Sequence, residues 1–157
     1  MKWISLLVTM IGILAFAGLA GAETHKSSGH AVYVQEGTPH ELPNGRTAIR
    51  QTSRGFVMAD DPNDPTHMSS QDCVGTTLLK EDGSPDRGHG YCFGVKTDGD
   101  TWWIWWTSDG EKGKWGFLGG TGVFEGATGG GTTTTVGVWP GEGGKLMITW
   151  DGTWETP

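Results

Sequence analysis

Cysteines, basic clusters and enzyme signature motifs are all scarce in this chain of 157 residues. Its two cysteines, Cys73 and Cys92, are too few and too far apart for a Cys-x-x-Cys redox motif or a cysteine-rich zinc site. No serine lies in a Gly-x-Ser-x-Gly nucleophile elbow, and no glycine loop ends in Gly-Lys-Ser or Gly-Lys-Thr. The sequence therefore argues against serine hydrolases of the α/β type and against phosphate-loop enzymes.

Positive charge is sparse as well. The chain has 11 Lys+Arg against 18 Asp+Glu, for a formal net charge of −7, and the basic residues form no cluster. Nucleic acid and anionic membrane surfaces are therefore not expected partners. The five histidines show no His-x₃-His spacing and no link to the cysteines, so we expect no bound metal and no cofactor.

Only one long apolar stretch occurs, over residues 4–19, and Ala20-Gly21-Ala22 follows it. This pattern is typical of a secretory signal peptide over residues 1–22, and we expect cleavage between Ala22 and Glu23. If it were not cleaved, the segment would instead anchor the protein in a membrane. We expect no membrane contact through any other segment. The sequence thus predicts a periplasmic or secreted protein with residues 23–157 as a single domain.

The two cysteines predict a disulfide-bonded hairpin. Their midpoint falls in residues 81–85, Glu-Asp-Gly-Ser-Pro, which is a strong turn signal. A hairpin centred there sets Cys73 opposite Cys92 on neighbouring strands, within reach of a disulfide. An oxidising compartment outside the cytoplasm favours that bond.

Short apolar or threonine-rich segments, separated by Gly, Asp and Pro, predict an all-β chain. The predicted strands cover residues 31–35, 46–59, 73–79, 89–97, 101–107, 114–118, 132–139 and 145–155, with turns that include 44–45, 98–99, 109–110 and 140–144. We expect these eight antiparallel strands to close into a β-barrel, because closure removes exposed sheet edges. On the last strand, Leu146, Ile148, Trp150 and Trp154 share the covered face.

The segment Trp102–Trp106 has no polar face. Its two-residue period puts Trp103 and Trp105 on one side and Trp102, Ile104 and Trp106 on the other, so both sides need cover. The N-terminal segment, a second subunit or a ligand in a cavity would each provide it. We assign seven side chains to ligand binding: Trp103, Trp105, Trp115, Phe117, Trp150, Tyr91 and His89.

Glycines recur every two to four positions through residues 119–129, around a short Val-Phe-Glu strand core, and this spacing fits a barrel corner. The stretch resembles the glycine signature of the allene oxide cyclase/dirigent barrel superfamily. The resemblance extends to four further segments, residues 73–76, 88–92, 97–100 and 150–154. Together with the glycine stretch, they resemble small exported bacterial proteins with an allene-oxide-cyclase-like barrel. The resemblance implies an eight-stranded antiparallel barrel with an apolar cavity, and a homo-oligomer, because plant relatives are often trimers.

Three functions remain open from the sequence. The first is binding of a small apolar or aromatic ligand among the tryptophans. The alternative, implied by the resemblance, is an allene-oxide-cyclase-like or dirigent-like isomerase or cyclase that shapes a reactive apolar intermediate. Its candidate catalytic residues are Glu125 and Glu36, since burial inside the barrel would raise the carboxyl pKa and suit acid–base catalysis, whereas an outward carboxylate would only be solvated. The third is an assembly protein that contacts other chains through outer tryptophans.

Overall fold

The computed structural model describes residues 23–139 and 144–157, which form a closed barrel of eight antiparallel strands. The predicted signal peptide and most of the predicted turn at 140–144 lie outside the described residues. The strands are β1 (Glu23–Glu41), β2 (Thr47–Ala59), β3 (Ser69–Leu79), β4 (Pro85–Val95), β5 (Thr101–Asp109), β6 (Lys112–Gly120), β7 (Thr128–Trp139) and β8 (Gly144–Thr156). The predicted all-β barrel is confirmed. In this part of the chain, no helix has the length and apolar character needed to span a membrane.

Strand β1 closes the barrel, and it is much longer than predicted. Its first part pairs with β8, from Glu23 opposite Thr156 to Gln35 opposite Gly144. Its second part pairs with β2 and ends at Glu41 opposite Thr47. The early residues of β1 are mostly polar, so periodicity alone did not mark them as strand. Their conformation comes from pairing with the last strand of the chain.

The predicted disulfide is confirmed. Cys73 on β3 lies directly opposite Cys92 on β4, with their Cα atoms 4.0 Å apart, and the two sulfur atoms are bonded. Both cysteines are buried and point into the barrel. The bond therefore ties two neighbouring strands together from the inside.

One end of the barrel is closed by packed aromatic rings. Trp154 of β8 is 1% exposed, and its ring centroid lies 5.1 Å from that of Phe117 and 5.6 Å from that of Phe124. The His25 ring stacks on Trp154 with its centroid 4.2 Å away. Trp102 joins the same cluster through Phe117 and Phe124. This end of the barrel is therefore filled by side chains.

The glycine-rich stretch at 119–129 turns the chain under this closed end. The structure differs from the predicted strand core, because Gly122–Phe124 forms a 3₁₀ turn that places Phe124 in the core with no exposed surface. Gly122 has a φ of 59°, which side chains seldom adopt. The next amide, of Val123, donates to the Asp100 carboxylate at 3.0 Å. The motif therefore positions a core aromatic residue as well as bending the chain.

An ion pair ties the β1–β2 loop to the ends of β3 and β4 at the opposite end of the barrel. Arg46, at the end of the β1–β2 loop, donates to the Asp86 carboxylate and to the carbonyl oxygen of Leu79. Arg87 lies further from the same carboxylate, at 3.6 Å. The hydrogen bond from Arg46 lowers the pKa of Asp86 below its usual value.

This ion pair predicts a contribution to stability that depends on pH. Because the pKa of Asp86 is lower in the folded than in the unfolded state, its contribution is present above the unfolded pKa and is lost as pH falls through the folded one. Asp86→Asn should therefore destabilise the protein at pH 7, and the gap from wild type should shrink at about pH 3. Urea unfolding at both pH values measures the gap. Asp151→Asn, at an exposed position of β8, is the control; an equal gap at both pH values would contradict this.

Candidate functional site

The barrel encloses a cavity of about 750 Å³, within the range typical of small-molecule sites. Its wall includes Lys80 and Ser84 from the β3–β4 loop, Pro85 at the start of β4, and Gly110 and Glu111 from the β5–β6 loop. The cavity therefore opens at the end opposite the aromatic cluster. The opening leads into the barrel axis, past the β3–β4 and β5–β6 loops.

Large apolar side chains cover one side of this cavity. They come from three strands, β5, β6 and β8, and they are Trp102, Ile104, Trp106, Trp115, Phe117, Leu146, Ile148 and Trp150. The indole N–H of Trp150 donates to the Ser27 hydroxyl at 3.2 Å, which fixes the orientation of that ring. Such a wall offers broad, flat contact surfaces for an apolar or aromatic molecule.

Inward glycines on β3 and β4 explain why Trp102 and Trp106 fit inside a barrel of this size. A Cβ on Gly94 would lie 2.0 Å from the Trp102 ring. A Cβ on Gly75 or on Gly90 would lie 2.4 or 2.7 Å from the Trp106 ring. Since real Cβ atoms do not come so close, only glycine at these positions leaves room for the rings. The β3–β4 wall is thin where the β5 side chains are large.

This packing reverses the face that the sequence analysis selected on β5. Trp103 and Trp105 lie on the outer face, and Trp103 is 40% exposed. Tyr91, at 59% exposure, and His89 are outward-facing too. Of the seven predicted ligand-binding residues, the structure brings Trp115, Phe117 and Trp150 into the cavity. The other four face outward, since the inward positions of β4 are small residues and those of β5 are Trp102, Ile104 and Trp106.

Three of the four outward residues, Tyr91, Trp103 and Trp105, belong to an apolar patch on the outside of the barrel. Val74, Tyr91 and Trp105 follow one another across β3, β4 and β5, and Phe93 lies beside Trp103 with ring centroids 5.3 Å apart. Contiguous exposed apolar surface of this kind is common at contacts between proteins. The predicted homo-oligomer stays a prediction.

Polar side chains occupy the cavity wall formed by β1, β2 and β3, and the sequence analysis missed them. The Tyr33 hydroxyl donates to Gln71 Oε1. Gln35 Nε2 donates to Ser53 Oγ at 3.1 Å, and Thr77 Oγ1 donates to Gln51 Oε1 at 3.3 Å. All six side chains line the cavity. The period-two alternation of β1, with Ala31, Tyr33 and Gln35 on one face, is the signal that could have found part of this wall.

Tyr33 is the titratable side chain that lies deepest in the cavity wall among those the structure describes. It is 5% exposed, and burial raises the pKa of its phenol well above the ordinary value. The phenol is therefore protonated at neutral pH and acts as a hydrogen-bond donor. Its lone pairs remain able to accept a hydrogen bond from a bound molecule.

The two predicted catalytic carboxylates do not line the cavity. Glu36 lies on the outer face of β1, and Glu125 follows the 3₁₀ turn at the closed end; both are exposed. Among the described residues that line the cavity, the charged ones are Lys80 and Glu111, and both are exposed at its opening. Between residues 23–139 and 144–157, no three His, Cys, Asp or Glu side chains are grouped so as to hold a metal ion.

Comparison of the sequence with protein-family models and with curated proteins gives no match. Comparison with solved structures gives similar barrels. The pterocarpan synthase dirigent protein GePTS1 is 12% identical, with a TM-score of 0.53 and alignments covering 87% of this chain and 86% of that one. The pterocarpan synthase dirigent protein PsPTS1 is 13% identical, with a TM-score of 0.50, covering 86% of this chain and 95% of that one. The chain therefore has the dirigent/allene-oxide-cyclase-like barrel fold.

Proposed function

We propose that this dirigent-like barrel binds a small apolar or aromatic ligand inside its cavity. The observation that carries the proposal is an open cavity of about 750 Å³ lined on one side by tryptophan, phenylalanine, isoleucine and leucine. The wall formed by β1, β2 and β3 adds a small number of polar side chains, which completes the usual pattern of a small-molecule site. The disulfide inside the barrel supports an exported, periplasmic or secreted protein, because such bonds persist in oxidising compartments.

The apolar surface that a ligand can bury in the cavity determines the affinity to expect. A two- or three-ring aromatic ligand that buries about 300 Å² of apolar surface gains roughly 7 kcal/mol from leaving water. Part of this gain is lost to the immobilised ligand and to ordered side chains. We therefore expect dissociation constants of about 10–100 μM for simple aromatic probes. A natural ligand that also satisfies the polar wall would bind more tightly.

Binding of the neutral dye N-phenyl-1-naphthylamine tests the proposal. Its fluorescence should rise on titration with the protein, because the cavity removes it from water. Thr77→Trp adds a ring inside the cavity and should weaken binding by at least about tenfold, or 1.4 kcal/mol. Thr76→Trp adds the same ring on the outer face of the same strand and should leave binding unchanged. Equal binding by both variants would refute the site, as would no binding by the wild type.

The second candidate is an isomerase or cyclase that shapes a reactive apolar intermediate. Two observations favour it: a protonated phenol, Tyr33, lies in the cavity wall, and the similar structures are of pterocarpan synthase dirigent proteins. Tyr33 takes the place of Glu36 and Glu125 as the group that would touch the intermediate. Tyr33→Phe should then remove any enantiomeric excess in products formed in the presence of the protein, measured by chiral chromatography. Glu36→Gln and Glu125→Gln are the controls outside the cavity.

A further inference from the structure

We propose that the cavity selects an uncharged ligand with a hydrogen-bond donor and an acceptor side by side along one edge, as in a carboxamide or a lactam. Gln35, Gln51 and Gln71 would hold that edge, and the aromatic wall would cover the rest of the ligand. This inference rests on the proposed ligand binding and specifies its chemistry.

The three glutamines lie on adjacent strands of the barrel and face the same space. Gln35 is on β1, Gln51 on β2 and Gln71 on β3, and all three line the cavity. Gln71 is 3% exposed and lies deepest, whereas the other two are half-buried and nearer the opening. A ligand entering along the barrel axis would pass Gln35 and Gln51 before it reached Gln71.

Each glutamine amide retains unused hydrogen-bonding capacity toward the cavity. A primary amide has a carbonyl oxygen that accepts and an NH₂ group that donates twice. Gln71 and Gln51 use their carbonyl oxygens, for Tyr33 and Thr77, while Gln35 uses its NH₂ group for Ser53. Among the described side chains, none bonds to the amide NH₂ groups of Gln71 and Gln51 or to the carbonyl oxygen of Gln35. These groups therefore remain for a ligand. Donors and an acceptor thus occur together on one wall.

The position of the charged residues that line the cavity points to a neutral ligand. Lys80 and Glu111, the charged residues that line the described cavity, are exposed at its opening and carry opposite charges. An ionised ligand moved past them would lose its hydration with no counter-charge to replace it, which is strongly unfavourable. A neutral amide loses less hydration and regains its hydrogen bonds from the glutamines.

The opposite wall selects for a flat apolar body. Ile104 and Trp106 of β5 and Ile148 of β8 line the cavity on its apolar side. A ligand with a polar group on one edge and an aromatic body therefore has one orientation that satisfies both walls. A purely apolar ligand would leave the glutamine amides without partners, and a ligand polar on all sides would lose hydrogen bonds against the aromatic wall.

Three naphthalenes of nearly equal shape test this inference: 2-naphthamide, 2-isopropylnaphthalene and 2-naphthoate. Their affinities are measured at pH 7 by isothermal titration calorimetry. We expect naphthamide to bind at least tenfold more tightly than naphthoate, which is ionised at this pH. In Gln71→Leu, the ratio of naphthamide to isopropylnaphthalene affinity should fall by about tenfold, because the hydrocarbon gains or keeps affinity while the amide loses its partner. Comparing this ratio between the variant and the wild type cancels the different hydration of the two probes.

Gln51→Leu provides a second variant, since Gln71 also accepts the hydrogen bond from Tyr33 and its loss could unfold the chain. If circular dichroism shows Gln71→Leu to be unfolded, Gln51→Leu decides, with the same expected fall in the ratio. Thr52→Leu, exposed on the outer face of β2, is the matched control and should leave the ratio unchanged.

The outcomes separate this inference from the function on which it rests. If the hydrocarbon binds but the ratio is the same in wild type and in the glutamine variants, the selective edge is refuted and the apolar site stands. Naphthoate binding as tightly as naphthamide would refute the choice of a neutral ligand. If none of the three probes binds, both this inference and the proposed function fail.

Discussion

Replacing Trp154 with alanine should lower the free energy of unfolding by about 3–5 kcal/mol, as expected for loss of a large buried aromatic side chain. Trp154 is 1% exposed and packs against the rings of Phe117 and Phe124 and the stacked ring of His25. Alanine would remove contacts with all three rings and leave a void. Since the closed end of the barrel has several ring partners held in place by β-strands, the void cannot collapse easily.

Urea unfolding followed by circular dichroism measures this loss. Trp139→Ala is the matched control, because Trp139 is 51% exposed at the end of β7. Its effect should stay within about 0.5 kcal/mol, as for most surface substitutions. A loss below about 1 kcal/mol for Trp154→Ala would mean that the aromatic cluster is not packed as described.

Removing the disulfide with the double substitution Cys73→Ala and Cys92→Ala should lower the free energy of unfolding by roughly 3 kcal/mol. The two cysteines are 19 residues apart in sequence, so the bond closes a loop of moderate length in the unfolded chain. Its loss increases the conformational entropy of that chain. Both sulfurs are also buried against the barrel interior, so truncation removes some packing as well.

The adjacent cross-strand pair supplies the control for this experiment. Val74 and Tyr91 are paired in the same ladder, one residue along from the cysteines, and both point outward with more than half of their surface exposed. The double substitution Val74→Ala and Tyr91→Ala should cost at most about 1 kcal/mol, the upper end for a cross-strand pair. Equal losses for the two double variants would contradict a stabilising role for the bond.

The fold could be predicted from the sequence because its local signals agree with one another. The turn at 81–85 and the two cysteines define one hairpin, and the alternation on β8 defines a strand with one covered face. The first half of β1 could not be predicted, since Lys26, Ser27 and Ser28 show no apolar alternation. That half is a strand because β8 pairs with it, and pairing across the whole chain leaves no local trace.

The candidate site was predicted only in part, and the reason is the choice of face. Trp102–Trp106 carries bulky residues on both faces, so its own pattern cannot show which face is inside. The answer lies on the neighbouring strand, where the inward positions Gly90, Cys92 and Gly94 alternate with large outward residues. Small residues on one wall of a narrow barrel make room for large ones on the next.

The polar wall was missed for a different reason. Gln35, Gln51 and Gln71 lie far apart in sequence and follow no motif, and isolated glutamines are mostly found at the surface. Only the register of β1, β2 and β3 brings them to one side of the cavity. Glu36 and Glu125 were chosen because carboxylates suit acid–base chemistry, but strand parity and the 3₁₀ turn place them outside.

Crystals soaked with 2-bromonaphthalene test the central claim most directly, because anomalous diffraction locates the bromine atom without ambiguity. The account predicts one strong peak inside the barrel, in contact with inward residues such as Ile104, Trp106 or Ile148. A peak found only on the outer face, against Trp103 and Trp105, or a barrel interior with no peak at all, would contradict it.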